Sequence, residues 1–106
     1  MELVERFNRL VAELSREGGH AHLTFVNAAQ SKILFILMPG SLDELQRLLK
    51  ERGGLGYEFV GVRVRRANGR VEWLSPEFEP IPSEPWAVAC MFMLNAARVL
   101  RRRVSV

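Results

Sequence analysis

Two histidines in the first third of the chain have the spacing that most directly suggests chemistry. His20 and His22 lie two positions apart, so on a β-strand they share one face of the sheet. Neutral imidazole is a common metal ligand, and a nearby carboxylate could complete a site with them. The sequence has no second histidine pair and no cysteine cluster. We therefore predict no metal site and interpret the two histidines as surface residues of a sheet.

The other residues with catalytic potential do not combine into a recognisable active site. The single cysteine, Cys90, has apolar neighbours that disfavour a reactive thiolate, so we interpret it as structural. The run Gly53-Gly54-Leu55-Gly56 follows a predicted helix, whereas phosphate-binding loops precede one. We predict no catalytic residue, no cofactor and no small-molecule substrate. A small enzyme with a pocket beside the proline-rich segment and His22 is the third hypothesis.

Basic residues are concentrated in the second half of the chain. Residues 1–62 hold 7 basic and 8 acidic residues, and residues 63–106 hold 8 basic and 4 acidic residues. The arginines that could contact a phosphate backbone are Arg63, Arg65, Arg70, Arg101, Arg102 and Arg103. The competing explanation for the last three is that cations at a helix C-terminus are favoured by the helix dipole. We expect no aromatic stacking residues interleaved with these arginines, unlike in typical single-strand platforms.

Two helices and two strands are predicted in the first half of the chain. Apolar residues from Leu3 to Leu14 recur at the helical period, and Gly18-Gly19 ends that helix. Strands are predicted over residues 20–26 and 33–38, the second of them apolar on both faces. Ser41 followed by Glu44 predicts a capping box that begins the second helix.

A β-hairpin is predicted over residues 57–74. Asn68-Gly69 is a strong hairpin signal because both residues tolerate positive φ. Counting outward from a two-residue turn places Arg65 opposite Glu72 and Val64 opposite Trp73. In that register Trp73 lies on the core face, and Glu72 lies with the arginines on the other face.

The predicted element order defines the fold class. Residues 75–85 form a proline-rich loop, and a last helix is predicted over residues 84–103. The order α-β-β-α-β-β-α predicts an α+β fold, with a four-stranded antiparallel sheet packed with helices. The 106 residues, 48% apolar and 25% charged, suit a single globular domain over residues 1–106 and exclude a disordered tail or a disulfide scaffold.

Two resemblances accompany this fold prediction. The element order is similar to that of the pterin carbinolamine dehydratases, but their histidine-rich motif is missing, so no catalytic residue is carried over. Residues 32–35, 42–46 and 56–62 resemble a small bacterial domain of unknown function with a "GWEL" strand, where this chain has Tyr57 instead of tryptophan. The second resemblance covers residues 32–74 loosely and implies a fold but no activity.

The chain carries more apolar side chains than a two-layer domain can bury. The second strand is apolar on both faces, and the last helix is apolar nearly all round. Large exposed apolar patches usually mark an interface. The alternative is a three-layer fold that buries all of them. We predict a protein interface formed by Leu34, Ile36, Met38, Trp86 and Phe92.

These patterns favour a small non-enzymatic protein-interaction or regulatory module over an enzyme. We expect it to act by occupying a surface, as a homodimer or on a protein partner. Its size suits an inhibitor from a phage or mobile element. Nucleic-acid binding through the basic hairpin and the C-terminal arginines is the alternative. No apolar stretch reaches the roughly 20 residues of a membrane span, and we expect a cytoplasmic location without membrane contact.

Overall fold

The computed structural model describes residues 2–82 of the chain. Its elements are α1 (Glu2–Glu17), β1 (His20–Asn27), β2 (Lys32–Leu37), α2 (Leu42–Gly54), β3 (Glu58–Arg65) and β4 (Val71–Leu74). The strands form one antiparallel sheet in the order β2-β1-β3-β4. This arrangement confirms the predicted α+β fold and four-stranded sheet. The predicted last helix over residues 84–103, with Cys90, lies outside the described residues.

Both helices cover the same face of the sheet, which we call the helix face. Phe7, Leu10 and Leu14 recur at the helical period and are the buried residues of α1. Leu45 of α2 belongs to the same core cluster, together with inward-facing residues of β1 and β3. The Ser41 side chain accepts a hydrogen bond from the Glu44 backbone N–H (3.3 Å), which is the Ser41 half of the predicted capping box. The opposite side of the sheet is called the distal face below.

The predicted hairpin register is wrong by one residue. The Gly69 N–H donates to the Arg66 carbonyl (3.0 Å), and the Arg66 N–H donates to the Arg70 carbonyl (2.8 Å). Gly69 has φ +88, the left-handed conformation that such a turn requires. The loop therefore has three residues rather than two, and Glu72 lies opposite Val64.

This shift exchanges the faces of the β4 side chains, because neighbouring residues of a strand point to opposite sides. Arg63 lies opposite Trp73, and Arg65 lies opposite Val71, so both apolar residues share the distal face with the arginines. Glu72 lies on the helix face with Val64. The prediction that Trp73 lies on the core face and Glu72 beside Arg65 is thus overturned by the loop length.

The observed register allows an ion-pair hub at Arg66, and the hub in turn stabilises this register. Its guanidinium contacts Glu13 (3.0 Å) and Glu17 (3.6 Å) of α1 and Glu72 (3.2 Å) of β4. The Arg66 side chain is 18% exposed, so these contacts are partly shielded from solvent. The three-residue loop is what brings Glu72 to the helix face, where it can join them.

The segment after β4 is more ordered than the predicted loop. The Ser75 N–H donates to the Glu79 carbonyl (2.7 Å), which closes a tight turn. This turn buries Phe78, whose ring meets the Phe7 ring edge-on with centroids 5.7 Å apart. The chain then returns along β4, and the Ile81 N–H donates to the Trp73 carbonyl (2.9 Å). Phe78 is therefore a core residue, although the sequence predicted a loop for this segment.

Replacing Arg66 with methionine tests the hub. Arg66→Met leaves three carboxylates close together without their common partner, and we expect it to lower the free energy of unfolding by about 1–2 kcal/mol. Urea denaturation followed by circular dichroism measures the change. The matched control is Arg70→Met, because Arg70 is 73% exposed and makes one contact to Glu72 at 3.6 Å. The control should cost less than about 0.5 kcal/mol, and equal losses in the two variants would contradict the hub.

Candidate interaction surface

The structure separates the two alternate sets of apolar side chains on β2. Leu34, Ile36 and Met38, the predicted interface residues of this segment, are half-buried and pack against the core. Phe35 and Leu37 lie on the distal face and are 50% and 61% exposed. The exposed apolar side chains of β2 therefore belong to odd-numbered residues, whereas the prediction named the even-numbered ones. The remaining two predicted interface residues, Trp86 and Phe92, lie outside the described residues.

The two outer edges of the sheet differ. The outer edge of β4 is partly covered by the returning chain, through the bridge between Leu74 and Pro80. Within residues 2–82, no strand pairs with the outer edge of β2. β2 is six residues long, contains no proline or bulge, and has Lys32 as its one charged residue. An apolar edge strand with so little protection favours pairing with another strand.

The hydrogen-bond pattern shows which backbone groups of β2 face outward. The Met38 N–H donates to the Ala21 carbonyl (2.9 Å), so that residue points toward β1. In an antiparallel pair the inward-pointing residues alternate, so Lys32, Leu34 and Ile36 also point toward β1. The N–H and carbonyl groups that face away from the sheet therefore belong to residues 33, 35 and 37.

Two rows of side chains cross the distal face near the start of β1. The strand register places Leu37, His22, Arg63 and Trp73 in the first row. The second row, two residues along each strand, contains His20, Arg65 and Val71. Arg63, Arg65 and His20 are exposed, whereas His22, Val71 and Trp73 are half-buried. Further along β1, Thr24 and Val26 of the same face are buried.

The structure brings together only part of the predicted nucleic-acid site. Arg63 and Arg65 share the distal face, whereas Arg70 lies at the end of the hairpin loop and contacts Glu72. Arg101, Arg102 and Arg103 lie outside the described residues. The predicted lack of interleaved aromatic residues is wrong, because the observed register places Trp73 beside Arg63. The histidine pair, interpreted as surface residues, also belongs to this cluster through the pairing of β1 with β3, which the sequence analysis did not predict.

The positive charges in these two rows affect the pKa of His22. The pKa of His22 is lowered by its partial burial first, and then by the positive charges of His20 and Arg63. The two imidazole rings meet edge-on, with centroids 6.0 Å apart. The neutral form of the His22 imidazole is therefore favoured beside the positive charge of Arg63.

The remaining candidate chemistry is dispersed over the described part of the chain. Residues 2–82 contain no group of three His, Cys, Asp or Glu side chains that could hold a metal ion. A cleft beside the proline-rich segment is lined by Arg6, Leu10 and Phe78, among others, and lies on the helix face. His22 lies on the distal face, so the sheet separates the two parts of the hypothetical enzyme pocket. Of the helices in this range, none is long and apolar enough to cross a membrane.

Comparisons of the chain with protein-family models, with curated proteins and with solved structures find no match. The resemblances drawn from the sequence therefore stay predictions, and the functional argument rests on the geometry.

Titration of the histidines by NMR checks the electrostatics of the distal face. We expect His22 to titrate below the ordinary value of about 6.5, and Arg63→Gln to raise its pKa part of the way back. The unfolded chain binds this proton more tightly than the folded chain does. His22 therefore lowers the stability as the pH falls below the unfolded pKa, and has no effect well above it. Arg70→Gln is the control, and an equal shift in both variants would contradict the assignment.

Proposed function

We propose that the protein is a non-enzymatic protein-interaction module that forms a homodimer through the outer edges of β2. The observation that carries this proposal is the combination of an unpaired edge strand with exposed Phe35 and Leu37. Edge pairing supplies main-chain hydrogen bonds, and the alternate side chains supply selectivity. A second copy is the occupant that fits best, because the strand is complementary to itself.

The backbone restricts the geometry of such a dimer. In an antiparallel ladder, two residues that exchange hydrogen bonds stand directly opposite each other. On β2 the available groups belong to residues 33, 35 and 37, so an odd-numbered residue must oppose an odd-numbered residue. Directly opposed side chains lie on the same face of a sheet. The two copies therefore form one eight-stranded sheet, with all helices on one side.

One register uses all the outward backbone groups. When Phe35 stands opposite Phe35 of the second copy, Ile33 stands opposite Leu37, and each outward N–H and carbonyl finds a partner. On the helix face Leu34 then stands opposite Ile36. Every one of these facing pairs is apolar, and each contributes about 0.2–1 kcal/mol. The two Lys32 side chains stand at opposite ends of the interface, so their charges do not oppose each other.

The proposed biological role uses the surfaces that this twofold-symmetric dimer leaves exposed. A closed dimer uses the same patch of both copies and presents every remaining surface twice. A small protein of this kind would act on a partner by covering part of its surface. The regulatory or inhibitory role, of the type that phages and mobile elements encode, belongs to the proposal and is supported by the small size of the chain.

Substitution at the centre of the interface tests the dimer. Phe35→Glu would place two carboxylates opposite each other, so we expect a dimer for the unaltered protein and a monomer for the variant. Analytical ultracentrifugation at micromolar concentrations measures both. Leu3→Glu is the control, because Leu3 is 45% exposed and belongs to α1, outside β2. A monomeric unaltered protein, or a Phe35→Glu variant that dimerises equally well, would overturn the proposal.

A disulfide cross-link tests the register. Opposed residues of a hydrogen-bonded pair have Cα atoms about 5.5 Å apart, which is within the range of a disulfide. In a Cys90→Ala background, Phe35→Cys should therefore form a covalent dimer on oxidation. Leu37→Cys should not, because each Leu37 stands opposite Ile33 and the two copies of Leu37 lie four residues out of register. Cross-linking of the Leu37 variant alone would show that another register is used.

A further inference from the structure

We infer that the two rows on the distal face bind a single-stranded nucleic acid, with Arg63 and Arg65 on its phosphates and Trp73 and the histidines beside its bases. This inference does not depend on the proposed dimer, because the arginines, the histidines and Trp73 that it uses lie on β1, β3 and β4, whereas the dimer edge is β2. The sequence prediction also named Arg63 and Arg65, but it combined them with Arg70 and the C-terminal arginines rather than with Trp73 and the histidines.

Arg63 and Arg65 are the best-placed cations for a phosphate ligand. Within residues 2–82, no carboxylate oxygen lies within 4 Å of either guanidinium, whereas Arg6, Arg66 and Arg70 all make ion pairs. Their cross-strand neighbours are histidines, Trp73 and Val71, none of them acidic. Both side chains are exposed. A guanidinium presents planar N–H donors that match phosphate oxygens, so these two side chains are available for an anion.

The position of Glu72 explains why the rows keep their charge. A two-residue hairpin turn would place Glu72 opposite Arg65 and neutralise it. The observed loop sends Glu72 to the helix face, where Arg66 holds it at 3.2 Å. The nearest acidic residue on β3 itself is Glu58, at the other end of the strand. The two distal rows therefore contain no acidic residue, and their permanent charges are those of Arg63 and Arg65.

The rings in the rows favour a nucleic acid over an acidic peptide. In the first row Arg63 has the His22 ring on one side and Trp73 on the other. Rings beside cations are typical of surfaces on which bases of a single strand stack while the backbone follows the positive charges. An acidic peptide has no flat groups that would use these rings. A duplex is disfavoured because its grooves accept a protruding helix or ribbon, and these rows lie on the face of a four-stranded sheet.

Fluorescence polarisation with labelled 12-nucleotide oligo-U and oligo-dT tests the inference on the full chain. We expect both single strands to bind at 50 mM salt, more tightly than a 20-base-pair duplex. The double variant Arg63→Gln and Arg65→Gln should weaken binding at least tenfold. It should also reduce the slope of log affinity against log salt by about 1.4, since two phosphate contacts are lost. Because both arginines are exposed, the variant should fold, which circular dichroism checks.

Matched variants separate this site from the alternatives. Arg70→Gln, in the same hairpin, should leave the affinity within twofold of the unaltered protein. Addition of oligo-U should raise the pKa of His22, followed by NMR, because a bound phosphate stabilises the imidazolium. Equal binding of the duplex, equally strong competition by polyglutamate, or unchanged affinity in the double variant would each overturn the inference. Loss of binding only when Arg101, Arg102 and Arg103 are all replaced by glutamine would assign the ligand to the C-terminus instead.

Discussion

The length of the loop between β3 and β4 decides where the charges of this molecule lie. With three residues between Arg66 and Arg70, Glu72 faces α1 and joins Arg66, Glu13 and Glu17. This cluster fixes the hairpin to the first helix. The same loop leaves the arginines of β3 on the distal face without an acidic cross-strand neighbour. One local conformation, with Gly69 at positive φ, thus produces both the ion-pair hub and the basic surface.

The sequence predicted every helix and strand of the described region but not this register. Asn68-Gly69 is compatible with two-residue and three-residue loops, since both need a residue at positive φ near the turn. Local pairing favoured the two-residue turn through an Arg65–Glu72 pair, and such a cross-strand pair contributes only about 0.2–1 kcal/mol. The observed register replaces one such pair with a partly buried cluster that also involves α1. That cluster depends on the packing of a distant helix, so the hairpin sequence alone could not reveal it.

The face of β2 illustrates a signal that was present in the sequence. Residues 33–38 are apolar at every position, so their own pattern does not select a core face. The preceding strand does, because Ala21, Leu23 and Phe25 alternate with polar residues and are buried. Four residues separate Asn27 from its partner Lys32, and this spacing places odd positions of β1 opposite even positions of β2. The excess of apolar residues was recognisable from composition. To tell which face of β2 exposes them, one must also count the residues between the two strands.

The two proposed surfaces constrain each other through the geometry of the sheet. Because the dimer joins odd-numbered residues of β2, the distal faces of both copies form one continuous surface. With strands about 4.8 Å apart, the two β1 strands would lie about 14 Å apart and the two β3 strands about 24 Å apart. The apolar centre formed by Phe35 and Leu37 of both copies would then have the arginines of one copy on one side and those of the second copy on the other, all on the distal face. A single-stranded nucleic acid bound to the rows of one copy would hold its next segment near the rows of the second copy. Dimerisation would therefore raise its apparent affinity without any new contact.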